Sequence, residues 1–244
     1  MQLALAVLSD TGRVRSNNED SAFIDPATGL AIVADGMGGH AGGHVASEVA
    51  VTVVADSMRR MDRRARIQED AVVRALQDAV FAANDHILAK ARQDPELFDM
   101  GTTLVACAFL ANRVVTANVG DSRIYRIADG AIVQVSEDHS LVAERVKEGL
   151  LDPKSEEARM LSNIVTRALG MDQVQVDITV EDLAPGDTYL LCSDGLSDLV
   201  EPEEMAAAVT AHGADLQGAC LALVDLANAR GGPDNVTVVL ARAG

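Results

Sequence analysis

Five aspartates, Asp20, Asp35, Asp121, Asp194 and Asp234, are spread over the whole chain in the settings NNED, VADGMGG, VGDSR, LLCSDG and GGPDN. A single aspartate at a strand end is an ordinary turn residue. Five of them at separate loops suggest one shared site. Carboxylates brought together repel one another and lose hydration. Divalent cations relieve both costs, and an oxygen-rich site that keeps its waters suits magnesium or manganese. Two such ions bridged by a carboxylate lower the pKa of a water, which can then attack an electrophilic phosphorus in line. That chemistry needs no serine or cysteine nucleophile.

The run IVADGMGGHAGGHVASEVAV at 32–51 allows a competing reading. Gly36, Gly38 and Ala41 fit the loose G-x-G-x-x-G/A dinucleotide fingerprint, and Asp56 lies about 20 residues further on, where a ribose-binding acid would be sought. Asp35, however, precedes the glycines, where its charge would face a pyrophosphate. Asp56 falls within a projected helix, and the surrounding pattern predicts the wrong topology. There is no G-x-x-x-x-G-K-[ST] phosphate loop, no G-x-S-x-G elbow around Ser122 and no C-x5-R loop after Cys192.

The elements that must position these aspartates follow from periodicity and turn residues. Apolar stretches at 3–10, 21–25 and 30–35 predict strands separated by turns at Gly12 and Gly29. Val45, Val49 and Val53 form a helical stripe after the glycine run, and a second long helix is expected over about 67–91, before Pro95. Further strands are expected in GTTLVACAFL, RVVTANVGDSRIYRI, AIVQVSED, VQVDITVEDL and DTYLLCSD, with helices and a last strand, VTVVLARA, near the end. The intervening stretch 139–169 is polar, with short helical pieces, and SEEA at 155–158 can start one of them. Short turns between strands favour antiparallel pairing. The expected fold class is α+β, a four-layer α-β-β-α sandwich with two central antiparallel sheets. It should form one domain over 1–244, with a flap at about 145–165.

Composition narrows the function. The chain has 244 residues, 48% of them hydrophobic, enough for a sizeable core. Its formal charge of -17 disfavours a phosphate-backbone partner, and the lack of tryptophan disfavours base-stacking platforms. The basic run MRRMDRRAR at 58–66 reads as a solvated junction between two helices. No stretch is apolar enough to predict a membrane span, and the N-terminal residues lack a basic export-signal region. Cys107, Cys192 and Cys220 are widely spaced and read as buried thiols.

The ordered set VRSNNED, VADGMGGHAGG, GTTL, NVGDSRIY, EDHSLV, VTRALG, LLCSDGLSD and GGPDNVTVV resembles the metal-dependent serine/threonine protein phosphatases of the PP2C, or PPM, family, in its compact bacterial form. The resemblance covers essentially the whole chain. It implies hydrolysis of phosphoserine and phosphothreonine in proteins by a water activated at a two-metal centre, reversing bacterial Ser/Thr kinase signalling. The cofactors would be Mn2+ or Mg2+, two core ions with a third, weaker site.

On this resemblance Asp35 bridges the two ions and Gly36 offers its backbone carbonyl to one of them. Asp194 and Asp234 hold the other, Asp20 acts partly through water, and Asp121 with Asp194 forms the third site. Arg15 would clamp the phosphate, and His40 would assist leaving-group protonation or organise water. His44 stands where the bacterial pattern carries an acid. Asn235 would shape the metal loop, and Asp138 and His139 would be structural or would support the metal ligands from behind, rather than ligate directly. The expected partners are phosphorylated proteins, a Ser/Thr kinase or its targets, with no nucleic acid and no membrane. The expected protein is a cytoplasmic monomer. The alternatives are a catalytically inactive interaction module and a metal-dependent nucleic-acid hydrolase; the first would require loss of the key aspartates, the second a basic track.

Overall fold

The computed structural model describes residues 2–38 and 42–244. In chain order, strands β1 (Leu3–Asp10), β2 (Asp20–Asp25) and β3 (Leu30–Met37) precede two long helices, α1 (Gly42–Arg60) and α2 (Glu69–Gln93). Strands β4 (Gly101–Thr102), β5 (Leu104–Phe109), β6 (Arg113–Val119), β7 (Arg123–Ala128) and β8 (Ala131–Gln134) follow. An excursion then carries α3 (Leu141–Lys147) and α4 (Glu156–Leu161). Beyond it lie β9 (Asp177–Asp182), β10 (Thr188–Cys192), α5 (Asp194–Ser197), α6 (Pro202–His212), α7 (Leu216–Ala229) and β11 (Val236–Ala243).

The strands form two sheets, ordered β1-β11-β10-β7-β8 and β2-β3-β5-β6-β9, with β4 pairing to the end of β3. Neighbouring strands are antiparallel throughout. Side-chain alternation assigns each strand residue to one of two cores. In β10, Tyr189 and Leu191 meet Val33, Val105 and Val239 between the sheets. Leu190 and Cys192 face the other way, against Leu223 and Val224 of α7 and Met205 of α6. In β3, Ala31 and Val33 point between the sheets, while Leu30, Ile32 and Ala34 pack with α1 and α2. Central strands covered on both faces read as nearly unbroken apolar runs, which is how LAIVA and TYLLC appear in the sequence. Fully burying one such leucine contributes about 1.5–3 kcal/mol.

The helices are held by small residues. Ala46, Ala50 and Val54 recur every four positions along α1 and are completely buried, as are Leu76, Val80, Ala83 and Ile87 along α2. The result is the four-layer α-β-β-α sandwich expected from the sequence.

Three boundaries differ from the sequence expectation. Strand β3 does not stop at Asp35 but continues through Gly36 and Met37, which pair with Thr102 and Gly101 of β4. Helix α1 begins at Gly42 rather than near Val45. Asp194 opens the short helix α5 instead of ending β10. The expected flap coincides with an excursion whose base is closed by an isolated bridge between Ser140 and Val165 and a Leu141 N–H bond to the Ile164 carbonyl of 2.9 Å. Ser140 and Ser155 cap α3 and α4 by accepting from the Ala143 and Ala158 amides. Neither helix has much to bury: α3 has no buried residue and α4 has only Ala158.

Candidate metal centre

Antiparallel order brings the five aspartates to one end of the sandwich. Strands β2 and β11 begin there, and β3, β6 and β10 end there. Asp20 and Asp35 are direct partners across the β2–β3 pair. A cleft of about 420 Å³ opens at this end and is lined by Arg15, Asp35, Gly36, Asp121, Asp194 and Asp234. Asp20 sits behind the wall, almost wholly buried, and Glu19 takes the place at the surface of the cleft. His40 lies outside the described residues.

The Asp35 strand end and the Asp121 turn are fixed by hydrogen bonds to backbone and hydroxyl groups rather than to their carboxylates. The Asp35 amide donates to Thr103 Oγ1 at 3.0 Å, and its carbonyl accepts from Thr102 Oγ1 at 2.8 Å. Thr103 Oγ1 also contacts Ser122 Oγ at 2.8 Å, which ties the Asp121 turn to the end of β3. Gly36 donates to the Glu19 carbonyl, and a Cβ at Gly36 would collide with the Gly43 carbonyl of α1 and stand 2.6 Å from the Glu19 oxygen. Only glycine permits this approach of β3 to both neighbours.

Asn235 is the main clip on the opposite side. Its amide Nδ2 donates to the Thr11 and Asn17 carbonyls, each at 2.9 Å, and its Oδ1 accepts from the Glu19 amide at 2.8 Å. One buried side chain thus fastens the whole 11–19 loop, including Arg15, to the start of β11. Arg15 Nη2 donates to Asp234 Oδ2 at 2.8 Å, and this bond holds the guanidinium above its ordinary pKa. No second acceptor engages Arg15 among the described residues, so its remaining N–H groups are available to a ligand in the cleft.

The electrostatics are those of an uncompensated anion cluster. Desolvation, reinforced by the charges of Asp20, Asp194, Asp121 and Asp234, raises Asp35 well above the usual carboxylate range. Desolvation and Asp121 push Asp194 up to about 8. Asp20 rises to about 6 through burial, offset in part by the hydroxyls of Thr237 and Ser193, and Asp121 rises to about 6 for the same first reason. Ser193 Oγ donates to Asp20 Oδ2 at 2.8 Å, whereas Asp20 Oδ1 is buried without a partner.

An orphaned carboxylate oxygen amid four other acids fits a cation. Among the described residues no three acidic, histidine or cysteine side chains close on a single ion position as they stand. Carboxylates supplemented by the Gly36 carbonyl and by water remain suitable donors. Such a donor set matches magnesium or manganese, which keep several waters, rather than zinc in a closed cage. Glu19 and Asn163 are cleft residues that the aspartate pattern did not single out. Glu19 lies inside the quoted NNED run, while nothing local marks Asn163, which arrives through the fold of the excursion.

Neither Cys192 nor Ser122 is placed to act as a covalent nucleophile. Burial pushes the Cys192 thiol up to about 12, and Ser122 is fully buried with its hydroxyl turned to Thr103. The three cysteines are free and buried, as the sequence suggested.

Comparison with known proteins agrees with the fold. Residues 12–220 match the family profile described as protein phosphatase 2C. The chain is 39% identical over 242 residues to the serine/threonine protein phosphatase PstP of Mycobacterium tuberculosis, covering 98% of this chain and 45% of that protein. It therefore spans about half the length of that relative. The serine/threonine phosphatase stp of Listeria monocytogenes is 37% identical over 236 residues, covering 95% of this chain and 92% of its own length. Among solved structures, the catalytic domain of PstP in complex with two manganese ions superposes with a TM-score of 0.88 at 39% identity, covering 98% of this chain and 97% of that one. The chain belongs to the protein phosphatase 2C family.

Two outcomes follow from the cluster and its clips. In chelator, the folded state holds protons on Asp20, Asp121 and Asp194 more tightly than an unfolded chain with carboxylates near 3.8. Metal-free stability should therefore fall as pH rises from about 4 to about 8, and added Mn2+ should flatten the slope. Urea midpoints across that range measure it, and a rising metal-free profile would contradict it. Asn235→Ala should cost about 1–3 kcal/mol in the same assay, because it removes the partly buried bonds to the Glu19 amide and to two carbonyls.

Proposed function

We propose that this protein hydrolyses phosphoserine and phosphothreonine esters in proteins, opposing a Ser/Thr kinase, with Mn2+ or Mg2+ held by Asp35, the Gly36 carbonyl, Asp194 and Asp234, and with Asp20 and Asp121 in support. Membership of the protein phosphatase 2C family supports the reaction class. The observation that carries the residue assignment is the convergence of Arg15 and the cluster of raised carboxylates on one cleft. When bound, the ion pair supplies a water of lowered pKa and neutralises the acids around it.

The chain's own residues do the rest. Arg15, anchored through Asp234, presents its unused guanidinium N–H groups to phosphate oxygens and stabilises charge as the transition state forms. Asp35, with its backbone pinned by Thr102 and Thr103, contributes its carboxylate to the cleft lining. Thr103 and Ser122 are mutually hydrogen-bonded in the core and stay out of the chemistry. Protonation of the leaving hydroxyl is assigned to His40 on its motif alone. Asn163 and Val165 bring the excursion to the rim of the cleft, where a substrate backbone would pass. No helix among the described residues is long and apolar enough to cross a membrane. Three free thiols fit a reducing compartment, and cytoplasmic placement accords with that.

Phosphate release from a phosphothreonine peptide, with Mn2+ and with chelator, tests the reading. Asp194→Ala should reduce turnover to background. Arg15→Ala should lower it about 10²–10³-fold, the loss typical of removing one donor to transition-state charge. Undiminished hydrolysis in chelator, or an unaffected Arg15→Ala variant, would overturn the assignment.

A further inference from the structure

His139 lies behind the cleft, 4% exposed, and is the meeting point of four chain segments. Toward the site it satisfies both backbone groups of Gly120, the residue immediately before Asp121. The Gly120 amide donates to His139 Nδ1 at 3.1 Å, and the His139 amide donates to the Gly120 carbonyl at 2.9 Å. Gly120 is in the left-handed region at φ 107°, where a Cβ would stand 2.6 Å from Thr103 Cγ2. The turn that aims Asp121 into the cleft is thus wedged between Thr103 on one side and His139 on the other.

Away from the site, the same residue holds the returning end of the excursion. The His139 carbonyl accepts from the Thr166 amide at 2.8 Å. Its Nε2 lies 3.1 Å from Asp177 Oδ2 on β9, and Arg167 Nη1 donates to Asp177 Oδ1 at 3.2 Å. An amide can donate only to a lone pair, so Nδ1 carries no hydrogen and Nε2 carries it. With that hydrogen on Nε2, Asp177 is its acceptor, and the Arg167 guanidinium 3.3 Å from Nε2 makes its bond to Asp177 instead. Asp177 thus selects the tautomer that leaves Nδ1 open for Gly120. Both nitrogens are engaged and neither faces the cleft, so the ring is not an acid or base for the substrate.

We infer that His139 is a positioning residue that couples the base of the 141–165 excursion to the Asp121 turn and so sets the strength of the third cation position. The inference rests on the proposed role of Asp121 as a metal donor. It identifies the part of the EDHS motif that matters as a hydrogen-bond acceptor facing Gly120, not a metal ligand.

Two isosteric changes separate its two sides. Asparagine offers an oxygen near the position of Nδ1 and cannot reach Asp177; glutamine offers a nitrogen near Nε2 and leaves Gly120 without its acceptor. His139→Gln should weaken the weakest Mn2+ binding step by roughly tenfold in titration calorimetry, while His139→Asn stays within about twofold of the parent, outer hydrogen bonds typically being worth 10–100-fold in metal affinity. The Mn2+ concentration for half-maximal phosphate release should shift in parallel, with kcat at saturating Mn2+ retained. Equal losses in both variants, or none in either, would overturn the coupling.

Asp121→Asn separates this result from the reading beneath it. If that variant leaves the weak step unchanged, the assignment of Asp121 falls; if it weakens the step and His139→Gln does not, only the coupling falls. Long-range proton–nitrogen NMR on the unmutated protein in Mg2+ gives a check that requires no variant to fold. It should show the His139 hydrogen on Nε2, and a hydrogen on Nδ1 refutes the proposal.

Discussion

Carboxylate repulsion at one end of the sandwich is the constraint around which the molecule is arranged. The charges of Asp20, Asp121, Asp194 and Asp234 add to burial in raising the proton affinity of Asp35, and Asp121, Asp234 and Asp20 do the same to Asp194. A fold that left these residues on flexible loops would let them swing apart into water. Here Asp20 and Asp35 sit in paired strands, Asp194 opens α5, and Asp121 and Asp234 lie in turns next to strand ends. The repulsion therefore stays in the native state as a standing demand for cations, offset by the apolar cores that hold the sheets and helices together.

The clips that resist this repulsion are uncharged. Thr102, Thr103 and the Asn235 side chain bond to backbone groups, and Ser193 bonds to one oxygen of the buried Asp20. Compensating each acid with a buried lysine or arginine would have quenched the field that attracts metal ions. Arg15 is the exception, and it is exposed at the rim with one bond to Asp234. The positive charge stands where a phosphate would arrive rather than among the acids.

A second design principle is the contrast in packing between the sandwich and the excursion. The sheets bury continuous apolar runs on both faces, while α3 and α4 bury almost nothing and are held by serine caps and by hydrogen bonds at their base. Elements with few buried contacts open at low cost. That combination gives a rigid floor and a loosely packed rim, with His139 at the junction between them.

Much of this was legible in the sequence because the signals are local. Alternation and turn residues gave the sheets and the order of elements, and four of the five aspartates, Asp35, Asp121, Asp194 and Asp234, line the candidate cleft; the motif order pointed to the family. The departures arose where a distant segment decides the outcome. Strand β3 outruns Asp35 because β4, some 65 residues later in the chain, supplies partners for Gly36 and Met37. Asp20 pairs directly with Asp35 across β2–β3 and is almost wholly buried, while its neighbour Glu19 lines the cleft, a difference that the run NNED alone does not show.

Which residue types the site needs was thus determined by the sequence itself, since metal and phosphate chemistry dictates carboxylates, glycine and arginine. Which atoms face the cleft, which are clipped behind it, and which histidine nitrogen is left open were decided only by the tertiary structure. Hydrogen-bond partners hundreds of positions apart, such as Asn235 and the Thr11 carbonyl, become neighbours only when the sheets close.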